Sequence, residues 1–326
     1  MEIVTRKHLY LVSGRLSRPL AEEIAHELDV RLGEPNIAEF ANGEIHCRFN
    51  ESVRGTDVFI VQTHAADEAH SLNDSIMEQL IMVDAAKRAS AKRITVICPF
   101  YGYARQDRKA SGREPITARL LADMFEAAGA KRMISVDLHS GQIQGFFNGP
   151  VDHLTAMPVI LDTLAEYGDN IVMVSPDTGR VKVAEKYAQA LHCDLAFVYK
   201  ARRKDQKNVV EAKEIIGEVE GRTCVLIDDM IDTGGTIVAA AELLAERGAE
   251  RVIAACTHGV FSGAAIDRIK NSVIERVLCT NTLPLGPDQQ IDKIEQLSVA
   301  PIIGRAIDAV FRDESVSEIF DGNNLS

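Results

Sequence analysis

Short apolar runs recur along the chain, each bounded by polar or turn-forming residues: VFIVQT, RITVICP, RMISVDLH, NIVMVSPD, RTCVLIDD and RVIAACTHG. Their length and β-branched content predict buried strands. Between them lie segments of helical period such as ITARLLADMFEAAGA and TIVAAAELLAERGA. Strand and helix in alternation predict βαβ units, and with them an α/β fold whose mainly parallel sheet is flanked by helices on both faces.

The pattern repeats. AAGAKRMISVDLH, Ala127 to His139, aligns with ERGAERVIAACTH, Glu246 to His258, so that Gly129 falls over Gly248 and His139 over His258. In each copy a helix ends at a glycine suited to a left-handed C-cap and a buried strand follows. Two related α/β domains with a cleft are therefore expected, consistent with 326 residues, which is more than one core usually organises. The expected division is residues 1–153, joined by the C-terminal segment 305–326, and residues 154–304. The last helix, IIGRAIDAVF, is expected to pack back on the first domain.

Composition narrows the class. Apolar residues make up 46%, charged residues 26%, and mean hydropathy is -0.03, a globular profile. No apolar run approaches the roughly 18 residues that cross a bilayer, and MEIVTRKHLYLVSGR lacks the apolar core of a secretion signal. A cytoplasmic protein with no membrane partner is expected. Six cysteines stand singly with no CxxC, which suits small buried residues in a reducing compartment. A net charge of -12 argues against nucleic acid as a partner. An anionic small substrate would need cations concentrated locally against that field.

Candidate chemistry is densest in VLIDDMIDTGGT, Val225 to Thr236. Asp228, Asp229 and Asp232 follow an apolar run and precede Thr233, Gly234, Gly235 and Thr236, although clustered carboxylates repel and a double glycine weakens an element. At the carboxyl end of a buried strand the arrangement makes sense as a site. The glycines let backbone N–H groups close around a phosphate at a helix N-terminus, while Asp228 and Asp229 can accept hydrogen bonds from vicinal sugar hydroxyls or help hold Mg²⁺. Plain N-capping by Asp232 or Thr233 explains one acid, not three with two glycines.

The other candidates are bland taken singly. Asp177, in SPDTGR, reads as a turn, FANGE as a polar turn, RQDRK as a solvated loop, and His139 as a structural histidine at a strand end. After the strand expected at LAFVY, YKARRKDQKN supplies the concentrated cations, Lys200, Arg202, Arg203, Lys204 and Lys207, and by itself is a solvated surface loop.

Together these motifs resemble known ones. VLIDDMIDTGGT resembles the phosphoribosyl-pyrophosphate loop of the type I phosphoribosyltransferase group, and DLHSGQIQGFFNGPVD, Asp137 to Asp152, resembles the signature of the ribose-phosphate pyrophosphokinase family, in its regulated bacterial-type class I. The resemblance implies two related type I phosphoribosyltransferase-like domains and transfer of the β,γ-diphosphoryl group of Mg-ATP to the anomeric hydroxyl of ribose 5-phosphate. It implies ATP contacts from Phe40, Asn42, Glu44, Arg105 and Gln106. Ribose 5-phosphate would be held by Asp228, Asp229, Asp232, Thr233, Gly234, Gly235 and Thr236, Mg²⁺ by His139 and Asp177, and Lys200 with Arg202 would be catalytic. Ser52, Arg54, Ser315, Ser317 and Phe320 would shape an allosteric anion site in a homo-oligomer, usually a hexamer, with inorganic phosphate and ADP as effectors. A salvage phosphoribosyltransferase or a non-catalytic regulatory relative would share the loop at 225–236. The salvage enzyme would be shorter and have no use for FANGE and RQDRK, and the regulatory relative would lack Lys200 and Arg202.

Overall fold

The computed structural model describes residues 7–201 and 212–320, so Arg202 and the cations after it lie outside the described residues. The chain divides into two compact units. Unit 1 comprises residues 1–155, 282–284 and 298–326, and unit 2 comprises residues 156–281 and 285–297.

Unit 1 begins with β1 (Leu9–Ser13), α1 (Arg18–Glu27), β2 (Leu32–Gly33) and a hairpin of β3 (Asn36–Glu39) and β4 (Ile45–Arg48). It continues with β5 (Asp57–Val61), α2 (Leu72–Arg88), β6 (Arg93–Cys98), α3 (Thr117–Ala128), β7 (Arg132–Val136) and β8 (Val151–Leu154). The sheet order is β2-β1-β5-β6-β7-β8, and every pair in it is parallel. Unit 2 holds α4 (Met157–Leu164), β9 (Ile171–Ser175), α5 (Val181–Leu191), β10 (Asp194–Ala201), β11 (Ala212–Ile216) and β12 (Thr223–Ile231). There follow α6 (Gly235–Glu246), β13 (Arg251–Gly259), α7 (Ala265–Lys270), β14 (Arg276–Thr280) and β15 (Ile294–Leu297). Its order is β11-β10-β9-β12-β13-β14-β15, parallel except for β11 against β10.

The expected α/β fold is the observed one, and the six apolar runs are β5, β6, β7, β9, β12 and β13. β5 and β9 are buried at every position, as a strand covered on both faces must be. Where the sequence ends strands early, the structure extends them. β12 runs through both adjacent acids to Ile231, and β10 continues past LAFVY to Ala201. Backbone pairing to β13 and β11 decides those ends, and side-chain polarity does not.

Closing helix α8 (Ala300–Arg312) belongs to unit 1 and packs on α1. Gly304 permits the approach, because a Cβ there would lie 3.2 Å from the Glu27 Cβ. The unit boundaries differ from 153 and 305. β8 extends to Leu154, and α8 is one continuous helix that cannot be divided at its middle. Both repeat glycines take positive φ, 130° at Gly129 and 83° at Gly248. All six cysteines are free, four of them buried, and among the described residues no helix is long and apolar enough to cross a membrane.

Unit 1 also contains a polar core. His64 is fully buried beyond β5, where the Gly102 N–H donates to its Nδ1 at 2.9 Å. Nε2 must then carry the proton, and it donates to Gln79 Oε1 at 2.9 Å. The Gln79 amide donates in turn to the carbonyls of Ile60 and Ile97. Burial depresses the His64 pKa to about 4, against a weaker opposing effect of the Gln79 hydrogen bond. Below its ordinary value of 6.5 the unfolded chain takes up a proton that the fold excludes, so stability falls as pH drops from 6.5 toward 4. Denaturant titrations across that window are expected to lose on the order of 3 kcal/mol to this one group. His64→Leu, less stable at pH 7.5, should show a flatter slope between those limits, and an unchanged slope would remove His64 as the source.

Candidate functional site

In unit 2 the chain runs β9, β10, β11 toward one edge and then resumes at β12 on the other side of β9. Open α/β sheets bind ligands at the carboxyl ends of strands beside such a reversal. Pairing of β12 with β9 stops at Leu226, opposite Val174, while pairing with β13 goes on to Ile231. Asp228 and Asp229 thus lie on a stretch of β12 whose β9-side edge is open. Asp228 is half-buried and Asp229 buried, and the Asp229 N–H donates to Asp228 Oδ1 at 2.8 Å. Burial raises the Asp228 pKa well above the ordinary carboxylate range, helped by the neighbouring Asp229 and opposed by Arg180.

After β12 the chain turns through Asp232, Thr233 and Gly234 into α6. Gly234 is the N-cap with φ 72° and ψ -5°, and no side chain makes a cap hydrogen bond. The N-cap position is thus a left-handed glycine and neither Asp232 nor Thr233. The loop is held from outside instead. Ser262 N–H donates to the Asp232 carbonyl, and Arg268 to the Thr233 carbonyl at 2.6 Å. Thr236 sits in the first turn of α6 beside Gly235.

Asp177 follows β9 in the turn Pro176–Arg180. Its Oδ1 accepts the Gly179 N–H at 2.7 Å, and Ser175 Oγ donates to its carbonyl, so the ordinary Asp-Thr-Gly turn is real and orients this carboxylate. Arg180 ends the turn. Its guanidinium lies 2.7 Å from Asp229 Oδ1 and 3.4 Å from Asp228 Oδ1. Lys200 is the penultimate residue of β10, opposite Lys213 of β11, so the segment containing Arg202 is flanked by an antiparallel pair.

In unit 1, FANGE is the tip of the β3–β4 hairpin. Phe40 N–H donates to the Glu44 carbonyl, Gly43 N–H to the Phe40 carbonyl, and Asn42 Oδ1 accepts from the Glu44 N–H at 3.2 Å. Phe40 is 58% exposed, a large aromatic with little local burial to justify it. Arg15 braces the hairpin by donating to Glu39 at 2.9 Å and to the buried Glu78. The sequence reading missed Arg15 and Glu78. A signal for Glu78 existed in the consecutive polar pair Glu78–Gln79 inside the apolar helix face IMEQLIM.

Arg105 and Gln106 are exposed in the loop before α3, where Gln106 accepts from Thr117 Oγ1 at 2.5 Å. His139 follows β7 and is half-buried. The preceding Leu138 N–H donates to His153 Nε2 at 2.8 Å, and Asp137 takes φ 38°. His139 belongs to unit 1 and Asp177 to unit 2. Among the described residues no group of three or more His, Cys, Asp or Glu is placed to hold a metal ion. Ser52 and Arg54 are exposed around the buried Val53, and the Ser315 and Ser317 hydroxyls are 3.0 Å apart near the buried Phe320.

Comparison with known proteins decides the family. Residues 9–129 match the N-terminal domain of ribose phosphate pyrophosphokinase, and residues 212–321 match the phosphoribosyl synthetase-associated domain. The chain belongs to the ribose-phosphate pyrophosphokinase family. The ribose-phosphate pyrophosphokinase of Streptomyces avermitilis is 53% identical over 317 residues, covering 97% of both chains. That of Corynebacterium glutamicum is 52% identical over 320 residues, again covering 97% of each. The crystal structure of phosphoribosylpyrophosphate synthetase from Mycobacterium smegmatis superposes with a TM-score of 0.88 at 50% identity, covering 94% of this chain and 100% of that one. Membership makes the chain a kinase-type transferase of nucleotide biosynthesis, built, as the sequence predicts, from two phosphoribosyltransferase-like domains.

Gly234 gives a direct test of the loop geometry. A Cβ there would meet nothing closer than 3.5 Å, so space is available and only the positive φ opposes substitution. Gly234→Ala is expected to destabilise the protein by about 1 kcal/mol in denaturant titrations. A neutral or stabilising result would contradict the left-handed cap.

Proposed function

We propose that the protein transfers the diphosphoryl group of ATP to ribose 5-phosphate, producing phosphoribosyl pyrophosphate and AMP. The observation that carries this reading is the strand-end site of unit 2, where a helix N-terminus whose N-cap is a left-handed glycine adjoins two neighbouring carboxylates, bridged by Arg180. In this reading the loop Asp232–Thr236 takes the 5-phosphate on its backbone N–H groups, and Asp228 and Asp229 accept hydrogen bonds from the ribose 2- and 3-hydroxyls. The anomeric oxygen bonds to the β-phosphorus as the bond from that phosphorus to the α-phosphate oxygen breaks. AMP departs with that oxygen and the hydroxyl proton is released.

The exposed Phe40 ring is suited to stack on adenine, with Asn42 and Glu44 beside it and Arg105 and Gln106 contacting base and phosphates. Lys200 and Arg202 neutralise charge on the transferring group. Asp177 and His139 are the residues that would hold Mg²⁺. The Asp177 carboxylate, already oriented by the Gly179 N–H, is the kind of oxygen donor Mg²⁺ takes. When bound, the ion offsets negative charge on the triphosphate. The same reading places the protein in the cytoplasm as a homohexamer, with inorganic phosphate and ADP acting at a site shaped by Ser52, Arg54, Ser315, Ser317 and Phe320.

The test is AMP formation from Mg-ATP with and without ribose 5-phosphate in phosphate buffer. AMP should depend on the sugar phosphate, and Lys200→Ala should lower kcat by roughly 100- to 1000-fold, as removal of one charge-stabilising donor does elsewhere. Sugar-independent AMP, or undiminished turnover in the variant, would refute the reading. Phe40→Ala should raise KM for ATP about tenfold while leaving KM for ribose 5-phosphate alone, the loss typical of one stacking contact. Equal effects on both constants would remove Phe40 from the adenine site.

A further inference from the structure

Arg180 has no part in the assignments above, yet it is the cation at the sugar subsite. Its backbone is fixed at the start of α5, with the Val183 and Ala184 N–H groups both donating to its carbonyl. Its side chain reaches Asp229 Oδ1 at 2.7 Å and Asp228 Oδ1 at 3.4 Å. Successive residues of a strand point to opposite faces, so one guanidinium can meet two consecutive carboxylates only from the strand's edge. The register supplies that edge, because β9 stops pairing at Leu226 and leaves the flank of Asp228 and Asp229 to the turn that carries Arg180. The three side chains are 18%, 21% and 8% exposed for Arg180, Asp228 and Asp229, so their mutual charges are poorly screened by water.

Two such acids side by side would share a proton if left alone. A guanidinium in contact opposes that sharing by favouring the ionised forms, and it fixes the rotation of both carboxyl groups. A carboxylate retains acceptor capacity at its remaining lone-pair sites after such pairing. We infer that Arg180 is a positioning and specificity residue for the sugar, holding Asp228 and Asp229 as pre-aimed partners for the vicinal 2- and 3-hydroxyls of ribose 5-phosphate. This rests on the reading of those two acids as ribose contacts. Because both acids are set together, 2-deoxyribose 5-phosphate, lacking one hydroxyl, is disfavoured.

The decisive experiment is steady-state kinetics of the full-length chain and three variants, Arg180→Met, Arg180→Lys and Asp229→Asn, with KM for each substrate and kcat determined separately. Arg180→Met is expected to raise KM for ribose 5-phosphate about tenfold, the scale of one lost charge-assisted interaction. KM for ATP and kcat should stay close to native, and discrimination against the 2-deoxy sugar should narrow. Arg180→Lys, which retains charge without the forked donor, should raise the same KM by about threefold. A parallel rise in both KM values, or none, overturns the inference. If Asp229→Asn raises KM for the sugar but Arg180→Met does not, the inference falls while the reading of the acids stands. If Asp229→Asn has no effect, the reading itself fails. Should Arg180→Met not fold by circular dichroism, native KM values in Arg180→Lys would assign Arg180 a purely structural role and equally overturn the inference.

Discussion

Much of this protein follows from β12 outrunning β9. A parallel strand covered on both faces has nowhere to place a polar side chain until its neighbours end, and β12 stops pairing with β9 at Leu226 while it goes on pairing with β13 to Ile231. The overhang is held by hydrogen bonds on one side and open on the other, so carboxylates can stand on a rigid backbone without entering the core. The turn after β9 and the start of α6 converge on the same strand ends. Rigidity and access, usually opposed, are supplied by one register.

The charge arrangement follows from that opening. Asp228 and Asp229 are costly to bury side by side, and the raised pKa of Asp228 registers the cost. Arg180 offsets part of it. In unit 1 the same problem of a buried polar group is solved without charge. His64 stays neutral because Gly102 donates to one ring nitrogen and Gln79 accepts from the other. The two units thus settle these buried polar groups by local pairing, one with a cation and one without.

How far these features could be read in advance depended on their range. Six strands and the helices after two of them were legible, since a buried strand leaves an uninterrupted apolar run and a covering helix leaves a 3.6-residue period. The β3–β4 hairpin was read only as a polar turn, because its strands are short and mostly exposed. The ends of β10 and β12 were misjudged for the reason their pairing makes plain. The Asp-Thr-Gly turn at Asp177 was legible from three residues, being stabilised within those residues. Asp232 and Thr233 invited the N-cap position on local grounds, yet that position falls to Gly234, whose left-handed backbone sets the turn.

By itself the sequence determined the fold class, the repeat of a left-handed glycine before a buried strand, and the family, whose motifs are contiguous and so survive without coordinates. Tertiary structure alone decided which strand edge is open, that α8 packs on α1, that Glu78 and Arg15 brace the hairpin of Phe40, and that Arg180 meets Asp228 and Asp229. Those are relations between residues tens to hundreds of positions apart, set by hydrogen-bond register and packing, and no local pattern of polarity encodes them.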